Sequence, residues 1–395
     1  MRRAWLSLLL FVFGCDYGFK PETLVADMRV LGIRSTPADL SPGETARLEA
    51  LTPDPTGQPT TVLWLGCEAD PFNLNRTACA DTQLLDNPGS LAGADGGLPN
   101  GVSVIGFNTS AAYRTSPGLF DVLPSGDPRR QTGTVGQVVA ITVAEAVSPV
   151  ATREELQALF DRVQRKDVKA IVALFRVVIS ESSERNSNPV VGPLTLDGVA
   201  WPDGARVAVK PGAPVTFDVE APAAAFEAYT TLTPDGPKAQ TERLLAAWYS
   251  TAGRFSQSST ALREDVKTLF TPPGSGDPTD VVPDRRAATL WAVVRDTRGG
   301  QSWREWPLYV CDPSLPEPRI ASIEWPTSQK ERVVLRGEAL ESILDVAVDG
   351  KALEQGALVS SRGTWEGVLA EGVPVGALRG ELLTKTCVRR ALSAE

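Results

Sequence analysis

Apolar and polar residues alternate along this chain in short runs broken by Pro-Gly and Gly-Gly turns, a period of two that predicts half-buried strands. After the turn at Pro42-Gly43, Ala46, Leu48 and Ala50 fall on one face, and residues 28–34 form an earlier β-branched run. The arrangement recurs: Pro211-Gly212 is followed by Val215, Phe217 and Val219 on one face. Downstream of each copy a tryptophan sits in an apolar strand, Trp64 and Trp248, and each copy later offers a longer β run, residues 169–179 and 288–295. One structural unit is therefore expected twice. In the second copy, two strand-like runs across residues 290–310 flank a return over 296–300, where glycines supply the positive φ that a tight turn requires.

One stretch departs from this period. Thr152 followed by Glu155 is a capping box, and Leu156, Leu159, Phe160 and Val163 then share one helical face to about Arg165. That helix is expected to cover a sheet edge or end, as packing and not as a partner site. Residues 71–134 are rich in Gly, Asn, Asp, Ser and Pro and read as a long loop insertion, either functional or partly disordered. Residues 312–318 form a proline-rich linker. Beyond it, strands are expected at 320–325, 332–336, 344–348 and 380–386, with a hairpin turn at Asp349-Gly350. The resulting partition is a first domain over 26–190, a second over 191–311, the linker, and a small β domain over 319–395.

A chain of 395 residues exceeds one typical core, which agrees with several domains. The formal charge of -9 argues against nucleic acid as a partner, since phosphates repel such a surface. Histidine is absent, which excludes Ser-His-Asp and Cys-His catalysis, His-ligated zinc and His-based switching. Any chemistry would fall to carboxylates, Lys, Tyr or a Ser-Lys pair. No phosphate-binding loop, dinucleotide fingerprint, EF-hand or G-x-S-x-G elbow occurs, so no cofactor and no catalytic residue is expected. Asp81, Asp86 and Asp95 carry the hard oxygen ligands that suit calcium, but they read as solvated loop acids and no metal is expected.

The amino terminus carries Arg2 and Arg3, an apolar run over 4–13, and Gly14, the three parts of an export signal over 1–14. That run is too short for a lasting membrane helix, which needs roughly 20 residues. Val12-Phe13-Gly14-Cys15 resembles the lipobox of bacterial lipoproteins, although Phe13 stands where the family has a small residue. The resemblance implies that Cys15 is lipidated and that residues 15–25 tether the protein to a membrane. The five cysteines agree: setting Cys15 aside leaves Cys67, Cys79, Cys311 and Cys387 for two disulfides. Of three connectivities, Cys67 with Cys79 and Cys311 with Cys387 is favoured, because the first pair is local and the second brackets the last domain. A zinc site is weighed against by the lack of any C-x-x-C.

The Pro-Gly turns, the mid-domain tryptophans and the strand ending in Asp296-x-x-Gly299-Gly300 resemble immunoglobulin-like and PKD-type repeats of bacterial surface proteins. Residues 332–337 with 346–350 are similar to an IPT/TIG domain. The fold class expected is thus mainly β, with tandem immunoglobulin-like β-sandwiches, one short helix in the first domain and a smaller C-terminal β domain. The expected role is a membrane-anchored structural or protein-interaction module of the cell envelope. Its partners would be the membrane, through the lipid, and other envelope proteins or glycans. A carbohydrate- or peptide-binding module is the alternative, with Trp303 and Trp306 or the long loop as its surface, and a His-free hydrolase ranks third. For Trp303 and Trp306, core packing is the competing reading. An outer-membrane address is favoured over the inner membrane, with Asp16 after Cys15 pointing the other way.

Overall fold

A computed structural model describes residues 21–72, 101–233, 236–264, 267–274, 280–326, 332–359, 362–374 and 379–392. The export signal, Cys15, Cys79 and the acids at 81, 86 and 95 lie outside the described residues.

The first sandwich is built from β1 (Gly32–Thr36), β2 (Asp39–Leu40), β3 (Thr45–Leu51), β4 (Thr61–Cys67), β5 (Val102–Phe107), β6 (Ser110–Arg114), helix α1 (Pro128–Thr132), β7 (Thr134–Val143), helix α2 (Arg153–Gln164) and β8 (Ala170–Ile179). One sheet runs β1-β3-β6 and the other β2-β8-β7-β4-β5. Ala46, Leu48 and Ala50 point inward as the alternation requires, and they meet Trp64, Val138, Ala140 and Val177 from the facing sheet. The expected long loop is therefore not one loop. Its second half folds into β5, which pairs with β4, β6, which pairs with β3, and α1. Small residues hid these strands: at Gly106 a Cβ would lie 2.6 Å from that of Ala111, so the strand that crosses here must lack a side chain.

The second sandwich comprises β9 (Leu194–Leu196), β10 (Val199–Ala200), β11 (Val207–Val209), β12 (Val215–Val219), β13 (Ala228–Thr233), β14 (Gly236–Thr241), β15 (Leu245–Ser250), β16 (Arg254–Phe255), β17 (Ser259–Ala261), β18 (Thr268–Thr271), β19 (Ala287–Arg295) and β20 (Gln301–Val310). Its sheets run β10-β9-β12-β18-β16 and β11-β20-β19-β15-β17, with β13 and β14 as a separate hairpin. Phe217, Trp248, Phe255 and Phe270 pack ring against ring at the centre. In both sandwiches a short early strand runs parallel to the last one, β2 along β8 and β11 along β20. This fixes the internal equivalence and corrects the pairing of runs expected from the sequence: residues 169–179 match β20, and β7 matches β19. The spacing misled because the tight return at 296–300 is replaced in the first sandwich by the whole segment carrying α2.

Helix α2 has the expected capping box, with Glu155 N–H donating to Thr152 Oγ1 and Thr152 N–H donating to the Glu155 carboxylate. It covers neither an edge nor an end of the sheet. Leu159 and Phe160 are buried on its outer face, against Leu63, Leu65, Val139 and Ile141. The corresponding face of the second sandwich is covered differently. Val25 and Leu31 pack there on Trp291 and Val293, while Ser250 N–H donates to Thr23 O and Val25 N–H to Ser250 O. The expected tether over 15–25 thus ends early, because its last residues are built into the second sandwich.

The third sandwich is made of β21 (Arg319–Glu324), β22 (Arg332–Glu338), β23 (Ile343–Val348), β24 (Lys351–Ala352), β25 (Glu354–Val359), β26 (Thr364–Val368), β27 (Gly380–Thr384) and β28 (Arg389–Leu392). Sheets β21-β22-β26-β25 and β24-β23-β27-β28 enclose Val333, Leu335, Trp365, Val346 and Leu382. Asp349 and Gly350, with φ of 48° and 78°, make the expected hairpin turn between β23 and β24.

Candidate functional site

Two junctions join the three sandwiches, and polar side chains concentrate at them. At the junction of the second and third, Cys311 is bonded to Cys387 across a sequence separation of 76. Arg206 pairs with Asp345 at 3.0 Å, Arg286 with Asp312 at 3.2 Å, and Asp203 exchanges backbone hydrogen bonds with Gly350 and Ala352. The proline-rich linker lies against the third sandwich: Asp312 N–H donates to Lys385 O, and Arg390 reaches Pro318 O.

Among the described residues, the junction of the first two sandwiches holds the densest cluster of buried charge. The connector after β8 places Asn186 there, its N–H donating to Asp39 Oδ2 at 2.9 Å and its Nδ2 to Asp296 Oδ2 at 3.2 Å. Asn188 bridges the two bodies as well, donating to Ser35 O and accepting from Gln301 N–H. Approach is close: a Cβ at Gly300 would lie 3.0 Å from Ser187 O. The return between β19 and β20 supplies both Asp296 and Arg298. Asp296 Oδ1 accepts from the N–H groups of Arg298, Gly299 and Gly300 at 2.7–2.8 Å, which folds the return around the carboxylate.

Arg298 is shared among Asp39, Glu227 and Glu242, each at 3.5 Å, and donates to Glu184 O at 2.6 Å. A tight charge-assisted pair would close to about 2.7–2.9 Å. One guanidinium stretched over three carboxylates neutralises none of them fully. Burial pushes the Asp39 and Asp296 carboxyls above the usual range. Glu242, its side chain 2% exposed, is pushed up to about 7, first by burial and then by the charges of Asp296 and Glu227.

Beside this cluster opens a cleft of about 370 Å³, bounded by Glu184, Ser180 and Thr132 on one side and by Tyr229, Thr230 and Arg298 on the other. Hairpin β13–β14 forms that second wall. Thr230 N–H donates to Glu184 at 2.9 Å, and Arg298 lies 5.0 Å over the Tyr229 ring. Glu242 is not among the residues facing the cleft, so a substrate there would not touch it. A second cavity of about 500 Å³ lies at the end of the first sandwich, lined by Tyr113, Ile105, Leu119 and Ser103.

Of the residues the sequence singled out, Cys311 and Cys387 are joined as expected. Cys67 is buried in β4 and engaged in a disulfide, while its expected partner Cys79 lies outside the described residues. Trp303 and Trp306 do not form one surface. Three residues apart on a strand they point to opposite faces, so Trp306, 3% exposed, lies in the core of the second sandwich. Trp303 is half-buried beside Trp291, with Arg34 of the first sandwich 4.4 Å over its ring. Among the described residues, no group of three acidic or cysteine side chains is arranged to hold a metal ion, and no helix is long and apolar enough to cross a membrane. The cleft itself escaped sequence reading. One signal was present, the Asp235-Gly236 dipeptide that marks hairpin β13–β14.

No protein-family profile and no curated protein matches the chain. Solved structures with similarity include SGBP-B of the mixed-linkage glucan utilization locus of Bacteroides ovatus, in complex with a mixed-linkage heptasaccharide. It is 14% identical over 52% of this chain and 46% of that one, at a TM-score of 0.18. The human desmocollin-1 ectodomain is 11% identical over 93% of this chain and 58% of its own, at a TM-score of 0.17. The three N-terminal domains of the bacteriophage RB49 outer capsid protein Hoc are 8% identical over 93% and 94%, at a TM-score of 0.16. This chain spans less than two thirds of the first two. At these scores none of the three bears on what it binds.

Proposed function

We propose that the protein is a non-catalytic cell-envelope lipoprotein, anchored through a lipid on Cys15 to the outer membrane in preference to the inner, and acting as a structural or protein-interaction module. The observation that carries this reading is the construction of the two junctions. Packed tryptophans, shared hydrogen bonds, ion pairs and a disulfide fix each sandwich to the next, which a module needs if it is to hold partners at a set separation. The Cys67–Cys79 bridge and an IPT/TIG-type identity for the third sandwich belong to the same reading. Replacing Cys15 with Ser should move the protein from membrane to soluble fractions, because lipid chains supply the attachment at about 0.8 kcal/mol per buried CH2. A variant that stays with the membrane as fully as the parent would falsify the anchor.

A second reading, binding of a glycan or short peptide, is favoured by the junction cleft. Its hydroxyl-rich walls and the Tyr229 ring offer both hydrogen bonds and a stacking face. Tyr229→Ala should then lower retention on isolated envelope glycans while leaving the unfolding midpoint of the second sandwich within experimental scatter. Unchanged retention would leave the structural role standing alone.

A further inference from the structure

Asp39 comes from the first sandwich; Glu227, Glu242, Asp296 and Arg298 come from the second. Three carboxylates thus meet one guanidinium, Asp39 alone from across the seam, with Asp296 beside them on the Arg298 backbone N–H, and three negative charges are uncompensated when all four acids are ionised. The remaining neighbours do not change this balance. Tyr229 lies under Arg298, Asn186 is neutral, and the Glu184 carboxylate faces Thr230. Donors are also scarce: Asn186 Oδ1 is buried without a hydrogen-bond partner. Arg298 is shared between Asp39 on one side of the seam and Glu242 on the other, so a charge gained on Glu242 competes for the guanidinium that holds Asp39.

We propose that this seam is a proton-operated latch, closed while the cluster around Arg298 holds a proton and loosened when the proton leaves. The site of the proton is Glu242. Three backbone N–H groups partly offset the burial of Asp296, whereas Glu242, the most enclosed acid in contact with Arg298, has no such set of donors on its carboxylate. The sign follows from linkage. Glu242 is pushed up to about 7 in the closed form, and opening the seam frees Arg298 from Asp39 to pair with it, so its contribution to closure is present in mildly acidic medium and is lost as the pH rises through about 7. The seam is therefore tightest in mildly acidic medium and weakens under mildly alkaline conditions. Nothing in the latch depends on the anchor or on a ligand in the cleft.

Amide hydrogen exchange of residues 184–188 in the full chain, corrected for the intrinsic pH dependence of exchange, reads the seam directly. Protection in the parent should fall between about pH 6 and about pH 8, by at most about tenfold, the limit for one group titrating near 7. In Glu242→Gln, a neutral isostere, protection should stay high and flat across that range. Glu227→Gln removes a partly exposed charge that holds the Glu242 proton on, so its transition should move to lower pH. Parent protection that does not change with pH would overturn the latch. So would a parent-like response in Glu242→Gln or an unmoved transition in Glu227→Gln.

Discussion

Trp64 and Trp248 hold the same place in their sandwiches, each 0% exposed, but their indole N–H groups are satisfied differently. Trp64 donates to Asn108 O at 2.8 Å, Trp248 to Thr260 Oγ1 at 3.0 Å. The second bond is open to a clean test, because Thr260→Val keeps the shape and strands the donor. The cost should be about 1–3 kcal/mol, seen as a lower urea midpoint for the second sandwich. Two buried glutamates make an opposite pair. Glu366 in β26 accepts from Thr364 at 3.0 Å and meets Arg362 and Arg332, so its carboxyl is held below the usual range. Its contribution is present above about 4.5 and is lost as the pH falls. The third sandwich should therefore lose thermal stability on acidification below about 4.5, where the proton on Glu242 is already in place. Glu366→Gln should flatten that acid limb in a melting series. The tryptophans in strands were legible as core candidates from their apolar neighbours. The odd spacing of Trp303 and Trp306 on one strand likewise places them on opposite faces. The charge cluster was not, because Asp39 and Arg298 lie 259 residues apart and only the folded chain brings them together.

Elements were legible where local rules suffice and obscure where partners decide. The capping box of α2, the 296–300 return and the Asp349-Gly350 turn each follow from a few adjacent residues. Strands β5 and β6 did not stand out, because glycine and serine dilute their alternation and their partners β4 and β3 lie far back in the chain. For α2, the cap and the buried face contribute unequally. Thr152→Ala should cost about 1 kcal/mol, whereas Phe160→Ala should cost about 3–5 kcal/mol through the cavity left on the outer sheet face. Paired urea titrations of the first sandwich would separate the two. Equal effects would mean that α2 docks loosely and that its packing is not what holds it.

Across the whole molecule, both sandwiches of the repeat solve one problem by different means. The sheet containing Trp64 or Trp248 is apolar on its outer side as well, and each needs a cover: α2 in the first, residues 23–31 in the second. At the other junction the 311–387 disulfide joins the end of β20 to the turn before β28. Replacing both cysteines with Ser should cost about 4.5 kcal/mol by the loop-entropy relation for a closure that long. The loss should appear as separate melting of the third sandwich in calorimetry.

The cover over the second sandwich also sets a mechanical geometry. Were Cys15 fixed in a membrane, as proposed, the first described contact with a distant part of the chain would be that of Thr23 with Ser250, eight residues on, a reach of at most about 29 Å at 3.3–3.6 Å per residue. Any pull on the anchor would enter the middle sandwich through β15, so the first sandwich would hang beside the line of force rather than along it.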